Sequence, residues 1–157
     1  MDREERLARA QAALIRWQKE LVRLAYSYTL NLSDAEDCVQ DAFMAYMKKA
    51  PDFDSSESEK AWLIRVTVNK CLSLLRAPFR RRTQELPEEI GATEEDKGVL
   101  EAMKSLPGKY RVTLHLYYYE GYKLQEIAQI LKTKPATVGT WLDRGRQALK
   151  LEMEAII

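Results

Sequence analysis

Glycine and proline are scarce in this chain, 6 and 5 residues out of 157. Barrels and sandwiches need many such residues for their tight turns, so the composition tells against them. Cysteine occurs twice, at Cys38 and Cys71, far apart and at no metal-ligand spacing. Both lie in amphipathic helical patterns, where a free cysteine reads as a small buried hydrophobe. The single histidine, His115, has no cysteine or second histidine beside it to build a zinc site, and reads as an ordinary helix residue. No apolar run approaches the roughly 18 residues of a membrane span. Residues 1–13 alternate charge with alanine and lack the apolar stretch of a signal peptide. A cytoplasmic protein without membrane insertion is therefore expected. There is no phosphate-cradling glycine loop and no nucleophile motif. Adjacent acids such as Glu36 and Asp37 do not face each other on a helix. Neither enzymatic activity nor a cofactor is expected.

An excess of charge of one sign is missing too. The chain holds 25 basic and 24 acidic side chains, a formal net charge of +1, which tells against an undifferentiated polyanion binder. The distribution says more. Residues 1–76 carry 12 basic and 12 acidic groups, residues 77–105 carry 5 and 7, and residues 106–157 carry 8 and 5. The last third is basic, and Arg80, Arg81 and Arg82 form one dense cluster. This charge pattern permits nucleic-acid binding without demonstrating it.

What the chain has in quantity is helix formers: Leu, Ala, Glu, Lys, Gln and Arg dominate. Leu7, Leu14, Leu21, Leu24 and Tyr28 recur at helical spacing and predict a helix over 4–30. Ser33 followed by Glu36 reads as a capping box opening a second helix, which ends before Pro51. Its first turn is acidic, as the helix dipole favours. A polar loop over 51–58 holds Phe53, and a third helix is predicted over 59–76. Residues 77–97 have two prolines, a glycine and dense charge without period, and read as a linker. Beyond it, helices are predicted over 98–105, 108–119, 124–131 and 135–153; Val112, Leu116 and Tyr119 form the inner face of the second of these. The expected fold is all-α: a helical module over 1–76, a flexible linker over 77–97, and a second small helical module over 98–157.

The sharpest local signal is LQEIAQILKTKPATVGTWLDRGRQALK. Ile127, Leu131, Val138 and Leu142 fall where two crossing helices need apolar contacts, Ala128 is small at their approach, and three residues join them as in a helix-turn-helix. Pro135 suits a first helical turn, where its missing N–H costs nothing. A second helix lying in a major groove would present Lys134, Ala136, Thr137, Gly139 and Thr140 to base edges, with Arg144 and Arg146 reaching phosphates or a guanine. The alternative is a helical hairpin packed only on protein, its basic residues merely solvated. Lys132 stands where a turn glycine is usual, at about 1 kcal/mol if left-handed. Gly139 and Gly145 each cost the helix roughly 1 kcal/mol relative to alanine. Glycine there would let backbone approach DNA closely.

The two modules together resemble extracytoplasmic-function (ECF) sigma factors. The block LVRLAYSYTLNLSDAEDCVQDAFMAYMKKAPDF is similar to regions 2.1 to 2.3 of that family, with DAEDCVQDAF the most specific part. KAWLIRVTVNKCLSLLR resembles region 2.4, and LPGKYRVTLHLYYYEGYKLQEIAQILKTKPATVGTWLDRGRQALK resembles region 4. The resemblance covers residues 18–76 and 99–151, in the family's order. It implies an RNA polymerase sigma factor that directs core polymerase to promoters and helps open the −10 region. Asp37, Gln40, Asp41 and Phe43 would then grip the polymerase clamp helices, with Phe43 also readable as core, and the second module would meet the flap. Phe53, Trp62, Arg65, Asn69 and Lys70 would line the single-stranded −10 channel, although Trp62 alone also reads as core. Arg76 and the Arg80–Arg82 cluster would hold phosphates. The helix from Pro135 would read the −35 element, and an anti-sigma protein would hold the factor inactive. Departures from the family pattern at Ser73 and Gly139 bear on which promoter is read. The rivals are a helix-turn-helix regulator binding operator DNA without polymerase, and a helical adaptor that never touches DNA.

Overall fold

The computed structural model describes residues 2–75, 102 and 104–156, with side chains to Leu151 except that of Leu75. Among the described residues every regular element is helical. Arg76, the 77–97 linker with its arginine cluster, and most of the helix expected over 98–105 lie outside them. Ala102 is helical and buried.

Helix α1, Arg3–Thr29, starts on Asp2, whose carboxylate accepts the Glu5 N–H at 2.8 Å. It stops where Leu30 turns left-handed, φ 55°, and donates its N–H back to the Tyr26 carbonyl. Helix α2, Leu32–Lys49, corrects the expected start: the cap is Asn31, whose side-chain oxygen accepts the Asp34 N–H at 3.0 Å, while Ser33 stands exposed in the first turn. Leu30 in the left-handed region turns the chain so that Asn31, two residues before Ser33, becomes the extended cap residue. Lys48 and Lys49 complement the dipole at the end. Helix α3, Ser56–Leu75, begins three residues earlier than expected because the Ser55 hydroxyl accepts the Ser58 N–H.

These three helices bury Leu21, Leu24, Tyr26, Tyr46, Leu63 and Ile64 almost completely. The cysteines follow their expected burial: Cys38 on α2 and Cys71 on α3 are free thiols inside this core.

Helix α4, Gly108–Leu114, runs on into one turn of π-helix, His115–Tyr119. There the Glu120 N–H reaches back five residues to His115 O at 3.1 Å, and the Tyr122 N–H reaches Leu116 O at 3.0 Å. The wider turn changes the expected inner face. Val112 and Leu116 are buried, whereas Tyr119 is rotated outward and half exposed. Helix α5, Leu124–Leu131, and helix α6, Pro135–Ile156, cross over Ile127, Ala128, Val138 and Leu142, all buried. Between them Lys132 is left-handed, φ 54°. The Thr133 N–H bonds to Ala128 O at 2.9 Å and the Lys132 N–H to Gln129 O at 3.4 Å, a Schellman closure made without glycine.

Candidate nucleic-acid interface

Helix α6 presents its N-terminal face freely. Lys134, Ala136 and Thr140 are exposed, and Thr137 and Gly139 are partly so. The Thr140 hydroxyl donates to Ala136 O at 3.1 Å, which leaves its lone pairs outward. A Cβ on Gly139 would meet nothing within 4 Å, so this glycine borders open space. Gly145 does not share that role: a Cβ there would lie 3.2 Å from the Leu114 side chain, so its smallness serves the packing of α6 on α4. The two arginines differ as well. Arg144 is exposed and pairs with no acidic side chain among the described residues. Arg146 lies over the Tyr117 and Tyr118 rings at 5.5 Å, donates to the Tyr118 hydroxyl, and pairs with Asp143 at 3.3 Å. Its guanidinium already holds the π turn against α6.

The second surface lies on α3 and the loop before it. Spacings of three and four set Trp62, Arg65 and Asn69 on one helix face, with Asn69 exposed and Lys70 partly buried at the side. Trp62 meets Tyr46 edge-on at 5.8 Å and Phe53 at 5.9 Å, so Trp62 and Phe53 are both half-buried members of an aromatic cluster. Arg9 stacks over Phe53 at 5.5 Å, and the Tyr46 hydroxyl donates to Glu59 at 2.7 Å. Burial and that carboxylate push the Tyr46 phenol up to about 12. This support fixes Trp62 and Phe53 at the wall of an open cleft of about 670 Å³, which Arg65 also lines. Aromatic faces beside a guanidinium are what unstacked bases and their phosphates require.

The far wall of the cleft belongs to the second module: Glu120, Gly121, Tyr122, Gln129 and Ile130. Lys60 bridges the two sides, 2.7 Å from Glu20 and 3.0 Å from Glu120. Burial works against the Lys60 charge, but the hydrogen bonds its ammonium donates to Glu20 and Glu120 outweigh it and raise its pKa. Burial likewise opposes the Glu120 charge, yet His115 and Lys60 hold it down at about 2. His115 is a buried helix residue: it stacks on Tyr119 at 5.1 Å, its Nε2 3.6 Å from Glu120. No group of three metal-ligating side chains occurs among the described residues.

A third surface is the outer face of α2. Asp37, Gln40 and Asp41 are exposed there in helical register, continued by exposed Met44 and Lys48, whereas Phe43 points the other way, 8% exposed, into the core. Sequence reasoning passed over Asp143 and Gln147, which follow Ala136 and Thr140 along the face of α6; continuing the helical spacing past Thr140 finds them. It also passed over Lys60, Arg111 and Glu120, whose partners across the two modules lie 60 to 84 residues away and leave no local signal.

Residues 14–82 match the family described as Sigma-70 region 2, and residues 97–149 match Sigma-70, region 4. The chain is 28% identical to the RNA polymerase sigma factor SigV of Bacillus subtilis, over 87% of this chain and 86% of that protein. It is 30% identical to the ECF RNA polymerase sigma factor SigE of Mycolicibacterium smegmatis, over 89% of this chain and 62% of that protein. In fold it is similar to the sigma factor RpoE of Bartonella quintana, solved in complex with the anti-sigma factor NepR, with TM-score 0.77, 22% identity, and 92% and 96% of the two chains covered. It is also similar to CnrH in complex with the cytosolic domain of CnrY, with TM-score 0.69, 28% identity, and 96% and 97% covered. A helical module with an aromatic-lined cleft, followed by a helix-turn-helix, is the build of a two-module transcription initiation factor. The chain belongs to the sigma-70 family and is a sigma factor of the extracytoplasmic-function branch. No helix among the described residues is long and apolar enough to cross a membrane.

Proposed function

We propose that the α2 face Asp37–Gln40–Asp41 docks on the clamp helices of core RNA polymerase, with the second module on the flap. Helix α6 enters the −35 major groove, and Phe53, Trp62, Arg65 and Asn69 trap bases of the melted −10 strand, with Lys70 and Arg76 on its phosphates. The factor makes and breaks no bond itself; extruding each base costs a few kcal/mol, which stacking and pocket contacts offset. An anti-sigma protein holds it inactive in the cell, and it works in the cytoplasm. The observation that carries this reading is the ordered pair of sigma-70 regions on one chain, each with its exposed polar or aromatic face.

Co-elution of the purified chain with core polymerase tests the docking face. Wild-type protein is expected to co-elute, and Asp41→Arg, a reversal at an exposed helix position, to lose most of the complex while keeping its helical circular dichroism. Co-elution that survives Asp37→Arg and Asp41→Arg together would place the polymerase contact elsewhere.

A further inference from the structure

The first turns of α1 lie ahead of residues 14–82, the span that matches Sigma-70 region 2, yet one of their side chains reaches the cleft wall from behind. Residues 51–55 (PDFDS) join α2 to α3, and Phe53 is the one aromatic anchor among them. The Arg9 guanidinium lies over the Phe53 ring at 5.5 Å and over the Tyr46 ring at 5.9 Å. Its two amino groups fork to carboxylates on either side of that ring: Nη1 is 3.5 Å from Asp52 and Nη2 is 3.5 Å from Glu59. The same Glu59 oxygen accepts the Tyr46 hydroxyl at 2.7 Å, so α1, α2, the loop and the first turn of α3 meet at one guanidinium. Asp52 is 87% exposed, and an ion pair in water contributes little. The stacked ring and the Glu59 arm, 16% exposed, carry the geometry.

Arg9 itself does not line the cleft, whereas Phe53, Trp62 and Arg65 do. It acts on a strand through the ring it holds. Resting on the reading of this cleft as the −10 channel, we propose that Arg9 is a positioning residue for base capture. The guanidinium fixes the Phe53 ring beside Trp62 before any strand arrives, and so gives the first turns of α1 a part in promoter opening. A ring on an unrestrained loop must be ordered when a base stacks on it, and ordering a side chain at binding weakens capture several-fold. A ring already held escapes that loss. Arginine is the residue that suits the position. Its planar fork covers a ring and meets two carboxylates at once, while a lysine ammonium, a point charge on a flexible stem, cannot do both.

The test compares Arg9→Lys, which keeps the charge and loses the plane, with Arg16→Lys, the same change over the Trp17 ring, which is no part of the cleft wall. The full chain is first labelled with 4-fluorophenylalanine, which enters at Phe43, Phe53 and Phe79. The fluorine resonance that disappears in Phe53→Ala reports the ring. It is expected to move in Arg9→Lys and to stay in place in Arg16→Lys. The second readout uses the complex with core polymerase on a promoter selected by run-off transcription. Permanganate reactivity of unpaired thymines measures opening, and gel retardation in the cold measures binding to the closed duplex. Arg9→Lys is expected to lower the opening equilibrium roughly three- to tenfold, the factor that ordering one side chain produces, with duplex binding unchanged. In a Phe53→Ala background the same substitution should have no further effect, because the ring through which it acts is gone. An unmoved Phe53 resonance, unchanged opening, or an undiminished loss in the Phe53→Ala background would overturn the proposal. Failure of the sigma reading looks different: wild type itself then opens no promoter with core polymerase, and the proposal falls with it.

Discussion

Phe43 and Met44 are neighbours on α2 with opposite fates. Phe43 is 8% exposed and Met44 53%. Emptying a core aromatic typically costs about 3–5 kcal/mol, so Phe43→Ala is expected to destabilise the protein on that scale in urea denaturation. Met44→Ala should stay within about 0.5 kcal/mol of wild type. The glycines of α6 make a second contrast. Gly139→Ala adds a Cβ in open space and relieves a helix-interior glycine, a gain of about 1 kcal/mol and roughly 2–4 °C in Tm by calorimetry. Gly145→Ala presses on Leu114 at 3.2 Å and should give none of that gain; an equal rise for both would contradict the packing described. At this scale composition and period marked both glycines as costly, but only the neighbours of each distinguish one bordering open space from a packed one. Ser33 is not the cap of α2 for a related reason. Asn31 and Ser33 are both good cap residues, and the choice was made by Leu30 entering the left-handed region, which no leucine advertises.

Elements were largely legible. Apolar spacing located α1, α2 and α3 to within about three residues, and α5 coincided with its expected span, because amphipathic period is the dominant local signal. The π turn was not legible. It inserts extra width after Leu114, and a 3.6-residue period carried through His115–Tyr119 turns Tyr119 inward when it in fact faces out. That turn decides the job of Arg146, which clasps Tyr117 and Tyr118, whereas Arg144 is exposed and has no acidic partner among the described residues. Arg144→Ala should therefore lower duplex promoter affinity and reduce the magnitude of the log K against log salt slope by about 0.9, the signature of one lost phosphate contact. Arg146→Ala should change the slope by clearly less. Equal slopes for the two variants would show that Arg146 leaves its tyrosines to reach DNA.

On the scale of the whole molecule, ordered motifs made the two-module plan readable, while the docking of the modules was not. It depends on Lys60, Arg111 and Glu120, charges that look like ordinary solvated residues until the fold sets each beside its partner. Their ionisation predicts how the contact between the modules responds to pH. Glu120 sits at about 2, below its ordinary 4.5, so its contribution to folded, docked stability is complete above about 4.5 and drains away as pH falls toward 2. Lys60 is raised above its ordinary 10.5, so its contribution is complete below that value and is lost only at more alkaline pH. The stability difference between wild type and Glu120→Gln, followed by thermal melts, should shrink as pH falls from about 4.5 toward 2. A difference that grew over that interval would contradict the ion pair.

The central claim is that this chain starts transcription at promoters of its own, and run-off transcription with purified bacterial core polymerase on a library of promoter fragments tests it most directly. The expected result is a discrete set of transcripts that requires the protein and falls sharply with Asn69→Ala or Arg144→Ala. Transcripts absent from every fragment, with no core polymerase bound and tight binding to duplex DNA alone, would contradict it.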